Sequence, residues 1–173
     1  MGPGEPAWRT KLSRPGKCSV NVSAYEFIIK LSKELGLENK MPKEQINTDK
    51  LHEPSGHFSQ ATTIEASGKL VFVSGMTARR RDGSIAGIGD ITVQTRQVIE
   101  NIKSALEEAG GSLDDVCRVD VYVRNMEHFD AIHEVRREYF KPPLPASTMV
   151  EITKMTSPDY LIEINAIAVL PNS

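Results

Sequence analysis

The chain has 173 residues, of which 39% are hydrophobic and 25% are charged, and its formal net charge is −2. These values are typical of a globular protein and exclude a disordered, collagen-like or coiled-coil chain. The mildly acidic balance argues against binding to nucleic acid or to an anionic membrane, because both require a basic patch. Every apolar run is far shorter than the roughly 20 residues of a membrane span, and we expect a cytoplasmic protein.

Residues 1–53 are predicted to form an N-terminal extension. Pro and Gly are frequent in residues 1–20, which indicates a flexible arm. Ser23 and Glu26 then have the spacing of a capping box, and apolar residues recur behind them at helical intervals as far as Gly36. We expect this one amphipathic helix either to pack on the main domain or to dock a partner. Residues 39–57 are polar and rich in turn formers, which indicates a linker.

Residues 54–173 are predicted to form the main domain. Two strands, at 60–66 and 69–76, flank a hairpin turn at Ser67 and Gly68, and the apolar run at 70–73 indicates burial on both faces. Asp90 or Thr92 caps a long helix that ends at Gly110. A strand with one buried face follows at 116–123. A second helix near 126–140 and two strands near 148–153 and 161–170 complete the domain.

This order, β-β-α-β-α-β-β, predicts an α+β fold in which a mixed sheet carries both helices on one face. A sheet that is covered on one face has to bury its other apolar face elsewhere, because apolar surface is unfavourable in water. We therefore expect a homo-oligomer.

Two groups of polar residues are candidates for a site. Arg79, Arg80 and Arg81 directly follow a predicted buried strand, and guanidinium groups bind carboxylates with paired hydrogen bonds, so a small anionic substrate is a natural partner. A solvated charged turn is the alternative for this run. Glu163 and Asn165 share one face of the last strand, and a polar pair on so apolar a strand needs hydrogen-bond partners or a wet cleft.

The sequence carries no signature of a metal or cofactor site. Its two cysteines and four histidines have no zinc spacing, and the glycine pattern of a dinucleotide or phosphate loop is absent. We therefore expect neither a metal nor an organic cofactor.

Several segments between 54 and 171 resemble, in the right order, the RidA/YjgF family. They include HFSQA at 57–61, LVFVSG at 70–75, QTRQ at 94–97, GGSLDDV at 110–116 and LIEINAIA at 161–168. The resemblance implies a chorismate-mutase-like fold and a homotrimer with three clefts at its subunit interfaces. It also implies hydrolysis of reactive imines and enamines, such as 2-aminoacrylate, to the ketoacid and ammonia without metal or cofactor. The segment from Ser74 to Arg80 is similar to the aminomuconate deaminases of the family.

The chain departs from the family at four cleft positions. Ser147 stands where the family has a carboxylate-binding arginine, and Asn165 where it has a water-orienting glutamate. His133 replaces an asparagine and Phe58 a tyrosine, while Ser74 and Gly75 keep the family's identities.

Two hypotheses follow from these departures. In the first, the cleft is rebuilt for a larger anionic substrate: an arginine of the 79–81 run anchors a carboxylate, His133 or Glu163 orients water, and Asn165 hydrogen-bonds the water or the departing nitrogen. Phe58, Ser74, Gly75, Arg79, Arg80 and Ser147 then contact the substrate. In the second, the trimer binds a small ligand or a partner protein without hydrolysing anything.

Ribonuclease activity is a third alternative. Residues 54–173 contain twelve basic and sixteen acidic residues, and this acidic balance argues against strong RNA affinity.

Overall fold

The computed structural model describes residues 43–64 and 68–171. The chain divides into two compact units, Met1–Asn39 and Lys40–Ser173, and the described residues belong to the second. The helix predicted after Ser23 lies outside them, and the division of the chain after residue 53 stays a prediction. The described strands and helices are β1 (Lys43–Ile46), β2 (Ala61–Ile64), β3 (Lys69–Thr77), α1 (Ile91–Ala109), β4 (Val116–Val123), α2 (Phe129–Tyr139), β5 (Ala146–Glu151) and β6 (Ile162–Leu170).

Four strands form a mixed sheet in the order β3-β6-β4-β5, and β1 pairs with β2 in a separate two-stranded sheet. Strands β4 and β5 are parallel, while β6 is antiparallel to both of its neighbours. From β2 onward the element order is the predicted β-β-α-β-α-β-β, and the α+β fold with a mixed sheet is confirmed.

Both helices pack on the same face of the sheet. Alternate residues of β6 (Ile162, Ile164, Ala166 and Ala168) are buried in one apolar core with residues of α1 and α2, including Val98, Ile102, Ile132 and Val135. From Val119 onward, residues on β4 join this core with the same period of two, because successive strand side chains point to opposite faces. The predicted placement of the helices is therefore confirmed.

Helix α1 begins and ends where its sequence specifies. The Asp90 side chain accepts a hydrogen bond from the backbone N–H of Val93, which satisfies a donor that the first helical turn leaves without a partner. Gly110 closes the helix in the left-handed conformation, with φ 91°, which glycine adopts without steric cost. Of the two predicted caps, Asp90 or Thr92, the structure uses Asp90.

The sheet face opposite the helices is open in the described protomer. Leu70 and Phe72 of β3 are 53% and 70% exposed. The prediction that residues 70–73 are buried on both faces is therefore wrong for one protomer. Val71 and Val73 pack in the core beneath the helices, whereas Leu70 and Phe72 lie on the opposite face. Self-association through this open face stays a prediction.

Two connections differ from the predictions. Lys43–Ile46, which we assigned to a linker, forms β1 and pairs with β2. The hairpin at Ser67 and Gly68 is also wrong, because β2 pairs with β1 and β3 with β6. The Lys43 ammonium group donates to the carbonyl oxygens of Asp114 and Val116, which ties β1 to the start of β4.

Candidate active site

The predicted site residues separate into two groups within one protomer. Phe58, His133 and Ser147 lie together, where α2 packs beside the edge strand β5; with Arg136 we call them the helix-side cluster. Ser74 and Gly75 lie on β3, Glu163 on β6 lies against Gly75, and Arg79 and Arg80 line a groove with Gly75; we call these five the strand-edge groove. Because β3 and β5 are opposite edges of the sheet, the described part of one chain does not bring the two groups together.

His133 is the centre of the helix-side cluster. It is 2% exposed, and its Nδ1 accepts a hydrogen bond of 2.9 Å from the backbone N–H of His57. Its ring packs against Phe129 with centroids 4.3 Å apart and lies 6.5 Å from the ring of Phe58. Gly56 completes the contact, because any Cβ at that position would overlap the imidazole.

This environment keeps His133 neutral and fixes its tautomer. Burial, and after it the positive charges of Arg136, Arg137 and His57, lower the pKa of His133 to about 4. Since Nδ1 is occupied as an acceptor, the neutral ring carries its proton on Nε2. His133 can therefore donate a hydrogen bond from Nε2 at neutral pH, but this nitrogen cannot take a proton from water.

The depressed pKa of His133 predicts a pH-dependent stability. The unfolded chain protonates this histidine near pH 6.5, whereas the folded chain does so only near pH 4. The unfolded state thus binds more protons between these values, and we expect the free energy of unfolding to fall as the pH drops from about 6.5 to about 4. Urea denaturation at several pH values measures this.

The matched control for that titration is His133→Asn. An asparagine oxygen can still accept the His57 N–H but does not titrate, so the variant should lose part of the slope in this window. An unchanged slope in the variant would contradict the assignment to His133.

Arg136 is the site residue that the sequence analysis missed. It is 1% exposed, its Nη2 donates to the Ser147 hydroxyl at 3.2 Å, and its Nε and Nη1 have no hydrogen-bond partner in the structure. Burial lowers the pKa of Arg136 to about 10, and the group remains cationic at neutral pH. A signal was present, because Arg136 follows Ile132 by four positions and therefore lies on the apolar face of α2.

The strand-edge groove is built around a bulge. The β3–β6 register shifts between Val73 and Met76, which leaves Ser74 and Gly75 outside the ladder. The Glu163 carboxylate lies directly against Gly75, where a Cβ would overlap it. The bulge therefore exposes backbone beside a carboxylate.

Arg79, Arg80 and Arg81 are exposed and line a groove with Gly75. The Asn101 side chain donates to the carbonyl oxygens of Thr77 and Arg79 and so fixes the base of this loop on α1. The loop that carries the three arginines is thus fixed at a groove that Gly75 also lines, while their side chains stay exposed to solvent.

Asn165 lies on the open sheet face, two residues after Glu163 on β6 and on the same side of the strand. Its Nδ2 is 3.5 Å from an oxygen of Asp120, which also binds Arg118, and its Oδ1 is buried without a partner in the structure. The predicted alternation of polar and apolar residues on β6 is confirmed. The catalytic and binding roles that we predicted from the sequence stay predictions.

Among residues 43–64 and 68–171, no group of three or more His, Cys, Asp or Glu side chains is placed to hold a metal ion. Within the same ranges, no helix combines the length and the apolar composition that crossing a bilayer requires.

Comparison with known proteins places this geometry in a family. The family model described as Endoribonuclease L-PSP matches residues 48–170. A RutC family protein of Pyrococcus abyssi is 43% identical over 128 residues, which cover 74% of this chain and 98% of that protein. The chain belongs to the RidA/YjgF family. A second RidA/YjgF relative, the 3-aminoacrylate deaminase RutC of Acinetobacter baylyi, is 36% identical over 128 residues, with 74% and 98% coverage.

Solved structures of RidA/YjgF proteins have the same fold. The Rid protein YyfB of Yersinia pestis superposes with a TM-score of 0.69 at 31% identity, covering 75% of this chain and all of that one. RidA of an Antarctic Psychrobacter has a TM-score of 0.56 at 29% identity, with 73% and 99% coverage. The family includes imine and enamine deaminases.

Proposed function

We propose that this protein is a metal-free hydrolytic deaminase of an enamine or imine that carries carboxylate, with compounds like 2-aminomuconate as the substrate class. The observation that carries the proposal is the carboxylate of Glu163 against Gly75, a residue that also lines a groove with three exposed arginines. Gly75 thus contacts a proton acceptor and shares a groove with side chains that bind anions. The deaminase among the relatives supports the reaction class.

Hydrolysis of an imine requires few catalytic groups. A protonated imine is already electrophilic at carbon, so positioning and one general base suffice. Water adds to that carbon and gives its proton to Glu163, and a carbinolamine forms. The amine nitrogen then takes that proton back from Glu163, the C–N bond breaks to release ammonia, and the hydroxyl group gives its proton to the Glu163 carboxylate as the carbonyl forms.

We further propose that the working unit is a homotrimer with clefts between subunits. The exposed Leu70 and Phe72 support an association through the open sheet face. The separation of the two groups supports a composite site, in which the strand-edge groove of one copy meets the helix-side cluster of its neighbour. The cleft would then hold Glu163 from one chain and His133 from the other.

The test is ammonia release at neutral pH from enzymatically generated 2-aminoacrylate and 2-aminomuconate in parallel. We expect turnover of the muconate. Turnover of neither compound would favour the second candidate, a RidA-like trimer that binds a ligand without hydrolysis. The observation behind that candidate is the amide of Asn165, which cannot take a proton.

We expect the arginine run to act on the second carboxylate of a dicarboxylate substrate. The double variant Arg79→Ala/Arg80→Ala should raise KM for 2-aminomuconate about fivefold with kcat unchanged, because solvated charges contribute modestly to binding. Initial-rate kinetics measure this. Lys103→Ala/Lys154→Ala removes the same charge elsewhere on the surface and should leave KM as it is; equal KM values in the two double variants would refute the role of the run.

A further inference from the structure

The cation of Arg136 has no compensating charge around it. It is 1% exposed, and of its three nitrogens only Nη2 has an acceptor, the hydroxyl of Ser147. No acidic group contributes to the shift of its pKa, for which burial is the whole cause. Two side chains interact with it electrostatically or lie beside it on α2: Arg137 is a second cation, and His133 is neutral, so neither balances its charge.

Such an arrangement is costly unless an anion completes it. A buried donor without an acceptor destabilises the folded protein, and more so when the group is charged. A buried charge is normally paired or hydrogen-bonded on all sides. A structural role would therefore place a carboxylate or carbonyl oxygens around Nε and Nη1, and the described residues place none there.

The guanidinium of Arg136 contacts the edge strand of the sheet. His133 precedes Arg136 by one helical turn on the same face of α2, and its Nε2 carries a proton. Ser147 is only half buried and belongs to the edge strand β5, so the guanidinium lies next to a point where the cluster meets solvent. A guanidinium group can donate two parallel hydrogen bonds to a planar carboxylate, and no other cationic side chain has this geometry.

We propose that Arg136 is the group that binds the carboxylate next to the reacting carbon, with Nε and Nη1 donating to its oxygens. The identity of that carboxylate as part of an imine substrate rests on the proposed function, whereas carboxylate binding itself does not. Arg136 thus fixes one end of the substrate and the solvated arginine run the other.

The test is calorimetric titration of pyruvate, a 2-oxo acid, into the full-length protein and two variants. Arg136→Met keeps the length of the side chain and removes its charge, and should weaken pyruvate binding at least tenfold. Arg137→Met removes the exposed neighbouring charge on the same helix and should change binding less than twofold. Equal dissociation constants for wild type and Arg136→Met would overturn the proposal.

Thermal unfolding without ligand separates binding from structure. Removing an uncompensated buried charge should leave the melting temperature of Arg136→Met unchanged or raised. A lower melting temperature, or trimers that dissociate, would show that the cation already has a partner in the assembled protein and would overturn the proposal. If Arg136→Met does not fold, Arg136→Lys decides: loss of pyruvate affinity in a folded protein supports the guanidinium fork, and full affinity refutes it.

These outcomes are distinct from those of the deaminase test. If the wild type binds pyruvate through Arg136 but releases no ammonia, the inference stands and the proposed function is refuted. If the wild type deaminates its substrate but Arg136→Met leaves the pyruvate affinity unchanged, the proposed function stands and the inference is refuted. Inorganic phosphate serves as a second probe, because binding of both anions with equal affinity would refute selectivity for carboxylate.

Discussion

Substitution of Glu163 by glutamine is expected to lower kcat for hydrolysis of 2-aminomuconate by at least about 100-fold, the lower range for loss of a general base. Neither His133 nor Asn165 can replace the lost carboxylate as a proton acceptor. His133 Nδ1 is occupied by the His57 N–H and its Nε2 already carries a proton, and the Asn165 amide is not basic. Glutamine has nearly the shape of glutamate, so the packing against Gly75 should persist.

Ammonia release under saturating substrate measures this change, and the KM should move little, since the lost interaction is made in the transition state. Glu134→Gln, an exposed substitution on α2, is the matched control and should keep wild-type kcat. If kcat of Glu163→Gln stays within fivefold of the wild type, Glu163 is not the general base, and a bound water has to be the proton acceptor.

The second large effect is expected at the open sheet face. Phe72→Glu should convert trimers to monomers and abolish turnover, because a charge would be buried at the subunit contact and the composite site would be lost. Sedimentation velocity measures the first result and ammonia release the second. Val93→Glu places the same charge on α1, on the far side of the sheet, and should leave trimers intact. Trimeric Phe72→Glu would refute the open face as the interface.

Mixing of two impaired variants tests the composite site directly. Glu163→Gln should lose kcat and Arg136→Met should lose substrate affinity, so each alone should have little activity at a low substrate concentration, and each alters a different side of every cleft. After dissociation and reassembly, mixed trimers should regain activity, because some clefts then combine an intact Glu163 with an intact Arg136. A complete lack of recovery would show that each chain builds its site alone.

The local features of the fold could be predicted because they depend on residues close in sequence. The cap at Asp90, the left-handed Gly110 and the alternation on β4 each follow from short-range geometry. The errors concern pairing at long range: β1 is four residues long and is fixed by Lys43 reaching Asp114 and Val116, which no local pattern reveals.

The candidate site was less predictable for a similar reason. Glu163 and Asn165 were recognisable, because polar residues interrupt an apolar strand at its own period. Arg136 shares the apolar face of α2, but an arginine on a helix is usually solvated, and its burial depends on packing beside β5, where it donates to Ser147. The distance between the two groups could not be deduced either, since it follows from the strand order β3-β6-β4-β5.

The close approach of Glu163 to Gly75 constrains how this site can evolve. A methyl group at position 75 would overlap the carboxylate, so Gly75→Ala alone should displace the Glu163 side chain and lower the activity that depends on its position. In a background where position 163 has already become alanine, the same methyl group has room. The two positions should therefore show strong epistasis, and a lineage that loses the acid first can later lose the glycine, whereas the reverse order passes through a damaged intermediate. Relatives with a bulky residue at position 75 should accordingly have a small residue at 163.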